Sequence, residues 1–97
     1  MQEITVKEFL DQSLENPKII DVREIEEYEE GHMPQAMNYP LSEINDWATT
    51  LDLDEHYYLI CRSGYRSHNA GLFLEEKGYE VTNLLGGMLE YTEIKQH

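Results

Sequence analysis

The feature that most constrains the fold is an alternation. Short β-branched or aromatic runs recur along the chain, each followed by a segment with helix signals. Lys18-Ile19-Ile20-Asp21-Val22, Met37-Asn38-Tyr39, Tyr57-Tyr58-Leu59-Ile60 and Val81-Thr82-Asn83-Leu84-Leu85 read as strands, and Pro40 closes the second. Thr5-Val6-Lys7-Glu8 has the form of a capping box, and Phe9, Leu10 and Leu14 follow at helical spacing. These predict a helix from about Val6 to Glu15, stopped by Asn16-Pro17. Glu24 to Glu30 predicts a helix of one to two turns with Gly31 past its end. Ser42 is placed to cap a helix that carries Ile44, Trp47 and Leu51 on one core-facing side. A further helix is predicted from near Ser67 to Lys77, with Gly78 beyond it, and Gly86-Gly87 opens a short terminal one. Strands alternating with helices imply an α/β domain: a small, largely parallel central sheet flanked by helices on both faces. No linker, repeat or low-complexity stretch interrupts residues 1–97, so one domain is expected.

Charge narrows the function. Twenty acidic residues against seven basic ones give a formal charge of −13. Nucleic acids and anionic membranes are bound mainly through Lys and Arg, so both are excluded as partners. One cysteine forms no internal disulfide, which excludes the disulfide-scaffolded secreted domains. Residues Met1 to Glu8 lack the basic stretch and apolar core of a signal peptide. The apolar runs fall far short of the ~20 residues of a membrane helix. The expectation is a monomer in the reducing cytoplasm.

The chemistry concentrates at Cys61. In parallel α/β sheets ligands bind outside the carboxyl ends of the strands, and Cys61 follows Tyr57–Ile60 there, just before a helix. A loop at a helix N-terminus gathers backbone N–H groups and partial positive charge. Arg62 and Arg66 add full charges, two of only seven basic residues in the chain. Such surroundings lower a thiol's pKa. A lone cysteine is more often a small buried apolar residue. Strand end, Gly64, two arginines and a helix start together favour a reactive thiolate in an anion-binding pocket.

Cys61-Arg62-Ser63-Gly64-Tyr65-Arg66-Ser67 resembles the active-site loop of single-domain rhodanese-like sulfurtransferases, C-R-S-G-x-R-S. Asp21-Val22-Arg23-Glu24, Glu27-Tyr28, Gly31-His32-Met33-Pro34, Ala36, Asn38 and Pro40 match a second signature of that family, and Asn83-Leu84-Leu85-Gly86-Gly87-Met88 its closing element. The resemblance covers about Ile4 to Tyr91. It implies that Cys61 takes a sulfur atom from an anionic donor such as thiosulfate and becomes a persulfide. The sulfur then passes to cyanide, a small thiol or a protein thiol. The Arg62 to Ser67 amides would hold the negative charge; Arg62 and Arg66 would attract the donor, or Arg66 would fold back to brace the loop. No metal or organic cofactor is implied.

Three positions depart from the family pattern. Gln35 stands for a usual Gly, Tyr91 for a common Trp, and Tyr65 is bulky at the loop's variable position, where it bears on donor access. Asp21 and Arg23 would tune charge near the cysteine or, as the preferred reading, form a structural ion pair. His32, His56, His68 and His97 have no ligand spacing. The Glu24–Glu30 run reads as a solvated face rather than a site for a basic partner. Two other functions compete. One is a phosphatase or arsenate reductase with a Cys-loop-Arg cradle; rhodanese-fold and protein tyrosine phosphatases place five residues between Cys and Arg, whereas Cys61 and Arg66 enclose four, which counts against this reading. Non-catalytic rhodanese-like modules typically lack the cysteine, although a persulfide-sensing role fits it.

Overall fold

The computed structural model describes residues 1–96. Five strands and five helices follow one another: β1 (Gln2–Thr5), α1 (Val6–Asp11), β2 (Lys18–Asp21), α2 (Ile25–Glu29), β3 (Ala36–Asn38), α3 (Ile44–Trp47), β4 (His56–Ile60), α4 (Tyr65–Glu76), β5 (Glu80–Leu85) and α5 (Gly87–Gln96). The sheet order is β1-β5-β4-β2-β3, and every neighbouring pair is parallel. β4 is the central strand, so its end is walled by neighbours on either side.

Alternation along the strands fills two cores. Ile20, Tyr57, Leu59 and Val81 face one side, where Trp47 of α3 and Ala70 and Leu74 of α4 cover them. Ile19, Ile60 and Leu84 face the other, against Val6 and Phe9 of α1 and Met88 of α5. Ile20, Leu59, Ile60, Leu74 and Leu84 are fully buried, each worth about 1.5–3 kcal/mol relative to exposure. The expected architecture is therefore present, with a sheet that is wholly parallel rather than largely so.

Local departures have local causes. β1 was not anticipated: Gln2 and Glu3 are exposed, and the strand only lines the sheet's edge. The capping box forms, with the Glu8 N–H donating to Thr5 Oγ1 at 3.0 Å and the Thr5 N–H to Glu8 Oε1 at 2.8 Å. Yet α1 stops at Asp11 instead of Glu15. Leu14 is 42% exposed and anchors nothing, and Ser13 and Asn16 adopt positive φ of 48° and 50°. Ser42 caps no helix. It lies in a 3₁₀ turn and its hydroxyl donates to Glu24 Oε1 at 2.7 Å. The single helix expected from Ser42 is a 3₁₀ turn, α3 and a second 3₁₀ turn, although Ile44, Trp47 and Leu51 still pack into one core.

Candidate active site

Cys61 follows β4, and its side chain is 1% exposed. Its sulfur is a hydrogen-bond hub. The Gly64 N–H donates to Sγ at 3.1 Å, the Ser67 N–H at 3.3 Å and the Ser67 hydroxyl at 3.3 Å. The loop curls around the sulfur because Gly64 caps α4 with φ +111°, a left-handed conformation costly for residues with a Cβ. α4 then opens at Tyr65, two residues earlier than expected, and its first turn supplies the Ser67 donors. Burial pushes the Cys61 thiol up. Hydrogen bonds from the Ser67 hydroxyl and the backbone of Ser67, Gly64 and Ser63 outweigh it and hold the thiol below its ordinary value. The arrangement is a cradle of hydrogen-bond donors around the Cys61 sulfur, suited to a thiolate.

A second layer holds the donors. Asn83 of β5 is fully buried; its Oδ1 accepts from the Ser67 hydroxyl at 2.5 Å, sharing with Sγ the one hydroxyl proton, and its Nδ2 donates to the Gly64 carbonyl at 3.1 Å and to Glu3 Oε2 at 2.7 Å. Asn83 thus fixes both residues that bond the sulfur. Glu3 also meets His68 Nδ1 at 2.9 Å, so Asn83 first and His68 second hold the Glu3 carboxyl below its ordinary range. On the opposite flank, α5 docks on the loop: the Met88 and Leu89 N–H groups donate to the Cys61 and Arg62 carbonyls at 2.8 and 3.0 Å. That approach requires Gly87, where a Cβ would lie 2.5 Å from both carbonyl oxygens.

Comparison with known proteins identifies the family. The family model for the rhodanese-like domain matches residues 5–94. The chain belongs to the rhodanese-like domain family. It is 45% identical over 73 residues to the Bacillus subtilis protein named "Putative sulfurtransferase YtwF", covering 75% of this chain and 71% of that one. It is 40% identical over 79 residues to another B. subtilis protein, "Putative sulfur carrier protein YrkF", covering 80% of this chain but 43% of that one. A crystal structure of SSP1007 from Staphylococcus saprophyticus superposes with a TM-score of 0.89 at 34% identity, over 94% of this chain and 93% of that one.

The rhodanese-like loop separates its two arginines. Arg62 is exposed and its side chain has no hydrogen-bond or ion-pair partner among the described residues. Arg66 is folded back. Its Nη1 and Nη2 meet Glu27 Oε1 and Oε2 at 2.7 and 2.9 Å, a two-point ion pair with α2. This pairing, then the Glu24 N–H, offsets the cost of burial and holds the Glu27 carboxyl at about 2. Ser63 and Tyr65 are exposed, Tyr65 at 73%, on the rim of the loop. Asp21 and Arg23 form a buried ion pair at 2.8 Å, and Arg23 Nη2 also donates to the Gly31 carbonyl at 2.7 Å.

Gln35 adopts a positive φ of 76°, a conformation that favours glycine, and Tyr91, on α5, packs partly buried against the core that α1 also covers. Among the histidines, His32 stacks on Tyr28, His56 bonds Thr82, and His68 faces Glu3 rather than the thiol. His97 lies outside the described residues. Sequence reasoning missed two residues of the site, Glu27 and Asn83. Both lie inside the quoted motifs, but Glu27 was hidden within a charge run and Asn83 within a strand.

Proposed function

We propose that this rhodanese-like domain is a sulfurtransferase that carries sulfur as a persulfide on Cys61. The carrying observation is the convergence of the Gly64 N–H, the Ser67 N–H and the Ser67 hydroxyl on one buried sulfur. With thiosulfate, the Cys61 thiolate attacks the outer sulfur. A new S–S bond forms, the donor's S–S bond breaks, and sulfite leaves with the electron pair. The product, Cys61–S–S⁻, bears its charge one atom further out, at the mouth of the loop, where Ser63 and the remaining amides serve it. A thiolate or cyanide then takes the outer sulfur and returns the Cys61 thiolate.

The rest of the loop supports this cycle. Arg62 draws the anionic donor in from solvent. Arg66 braces the loop through Glu27, and Asp21 with Arg23 holds the neighbouring strand end. The acceptor is a thiol, and the likeness to a protein named as a sulfur carrier favours a protein thiol. A reactive, unpaired thiol suits a reducing compartment such as the cytoplasm. No helix among the described residues is long and apolar enough to cross a membrane.

The test is thiocyanate production from cyanide with wild type and Cys61→Ser side by side. Turnover that disappears in a folded Cys61→Ser variant supports the proposal. Turnover that persists in it refutes the persulfide route. Rapid aryl-phosphate hydrolysis instead would assign the loop to phosphatase chemistry.

A further inference from the structure

We propose that Glu27 sets the donor preference of the Cys61 site: by closing Arg66 into an ion pair it withholds that cation from incoming donors, favouring singly charged persulfides over the dianion thiosulfate. The proposal rests on the sulfur-transfer function above and names the substrate class within it.

The charges around the loop carry the argument. Behind or beside it Asp21, Arg23, Glu27 and Arg66 cancel in two pairs at 2.8 and 2.7 Å, and the Glu3 carboxylate on Asn83 adds a further negative charge. Arg66 lies in the first turn of α4, next to Ser67, whose N–H bonds the Cys61 sulfur, so a released guanidinium would sit on the rim of the site. Both of its terminal nitrogens are committed to Glu27 instead. Glu27 is also fixed, since its Oε1 accepts from the Glu24 N–H at 3.1 Å. The only cation of the loop left without a partner among the described residues is Arg62, and it is exposed. Glu26, Glu29 and Glu30 sit on or just past the same short helix, and the chain as a whole carries −13. A dianion therefore approaches through negative potential to meet a single solvated cation. A persulfide R–S–S⁻ carries half that charge and needs no second cation.

Transfer from it balances without other reagents. The persulfide anion takes one proton from water to give R–S–SH; the Cys61 thiolate attacks its terminal sulfur, the donor's S–S bond breaks, and RS⁻ leaves with the electron pair as Cys61–S–SH forms.

The experiment measures kcat and KM for Cys61 loading by two donors, thiosulfate and 2-mercaptoethanol persulfide. The proteins are wild type, Glu27→Gln and Glu27→Gln/Arg66→Ala. Gln retains the acceptor for the Glu24 N–H, so α2 keeps its start. Releasing Arg66 should lower the thiosulfate KM about tenfold with kcat little changed, the scale of one freed charge at a partly exposed site. The persulfide KM should move less than about threefold, and the double variant should lose the thiosulfate gain. Equal changes for both donors, or none, would overturn the assignment of Glu27 while leaving Cys61 chemistry intact. Wild type that neither donor loads would instead overturn the sulfur-transfer function and this inference with it.

Discussion

β2 and β4 are neighbours that end at the same edge of the sheet, and they treat their terminal polar groups in opposite ways. At the end of β2, Asp21 receives the Arg23 backbone N–H and side chain, Arg23 reaches the Gly31 carbonyl, and Asn38 Nδ2 donates to the Asp21 and Arg23 carbonyls. Donors and acceptors are matched, and the Asp21 and Arg23 side chains are buried. At the end of β4, the donors outnumber the acceptor: two N–H groups and a hydroxyl converge on Cys61 Sγ, and Arg62 projects into solvent. The first end is closed and holds the fold. The second has spare capacity for negative charge, which the proposed sulfur transfer would use to hold the Cys61 thiolate.

Breaking the closed end should cost the most. Asp21→Ala leaves the Arg23 guanidinium, 7% exposed, with only a carbonyl for company. A loss of about 3–5 kcal/mol is expected in denaturant unfolding. A loss below about 1 kcal/mol would show that the pair is not the lock described.

Weakening the open end should change chemistry before stability. Ser67→Ala removes one of the three donors to Sγ, so the thiolate titration followed by ultraviolet absorbance should shift to higher pH. Sulfur loading at neutral pH should fall by roughly ten- to a hundredfold, somewhat less than loss of a full oxyanion donor. An unmoved titration would mean that the hydroxyl proton is spent on Asn83.

Much of this was legible because each signal was local. Strand and helix runs, the Thr5–Glu8 capping box and the Cys61 loop all depend on residues close in sequence. Gly64 and Gly87 were visible as motif glycines, and the structure supplies their reasons, a left-handed cap and a close backbone approach. What stayed hidden depends on contacts between distant residues. β1 is a polar edge strand that pairs with β5. Glu27 meets Arg66 across 39 positions, so a run of glutamates gave no sign of which one was committed. Asn83 acts from a strand whose alternation marks it only as buried. The family pattern drew notice to Gln35 without a mechanism; its φ of +76° explains why glycine is usual there.

That strained turn gives a smaller prediction. Gln35→Gly should relieve the left-handed penalty of about 1–2 kcal/mol and lose part of it to unfolded-chain entropy, for a net gain of up to about 1 kcal/mol. A drop in melting temperature would contradict the strain.

The smallest effect concerns acid. Glu27 is depressed to about 2 when folded against 4.5 as its ordinary value. A depressed carboxyl stabilises above its unfolded value and loses that contribution as pH falls through the folded one. The clamp's share of stability should therefore be complete above about pH 5 and fade between there and pH 2. Arg66→Ala should be less acid-sensitive than wild type over that window. Equal sensitivity would mean that the pair contributes nothing measurable.

The central claim is that the cradle makes Cys61 a sulfur carrier. Intact mass spectrometry of the reduced protein after exposure to 2-mercaptoethanol persulfide, and separately to thiosulfate, tests it most directly. The account predicts a gain of one sulfur atom, faster with the persulfide, removed by cyanide and absent from Cys61→Ser. No gain with either donor, or the same gain in Cys61→Ser, would contradict it.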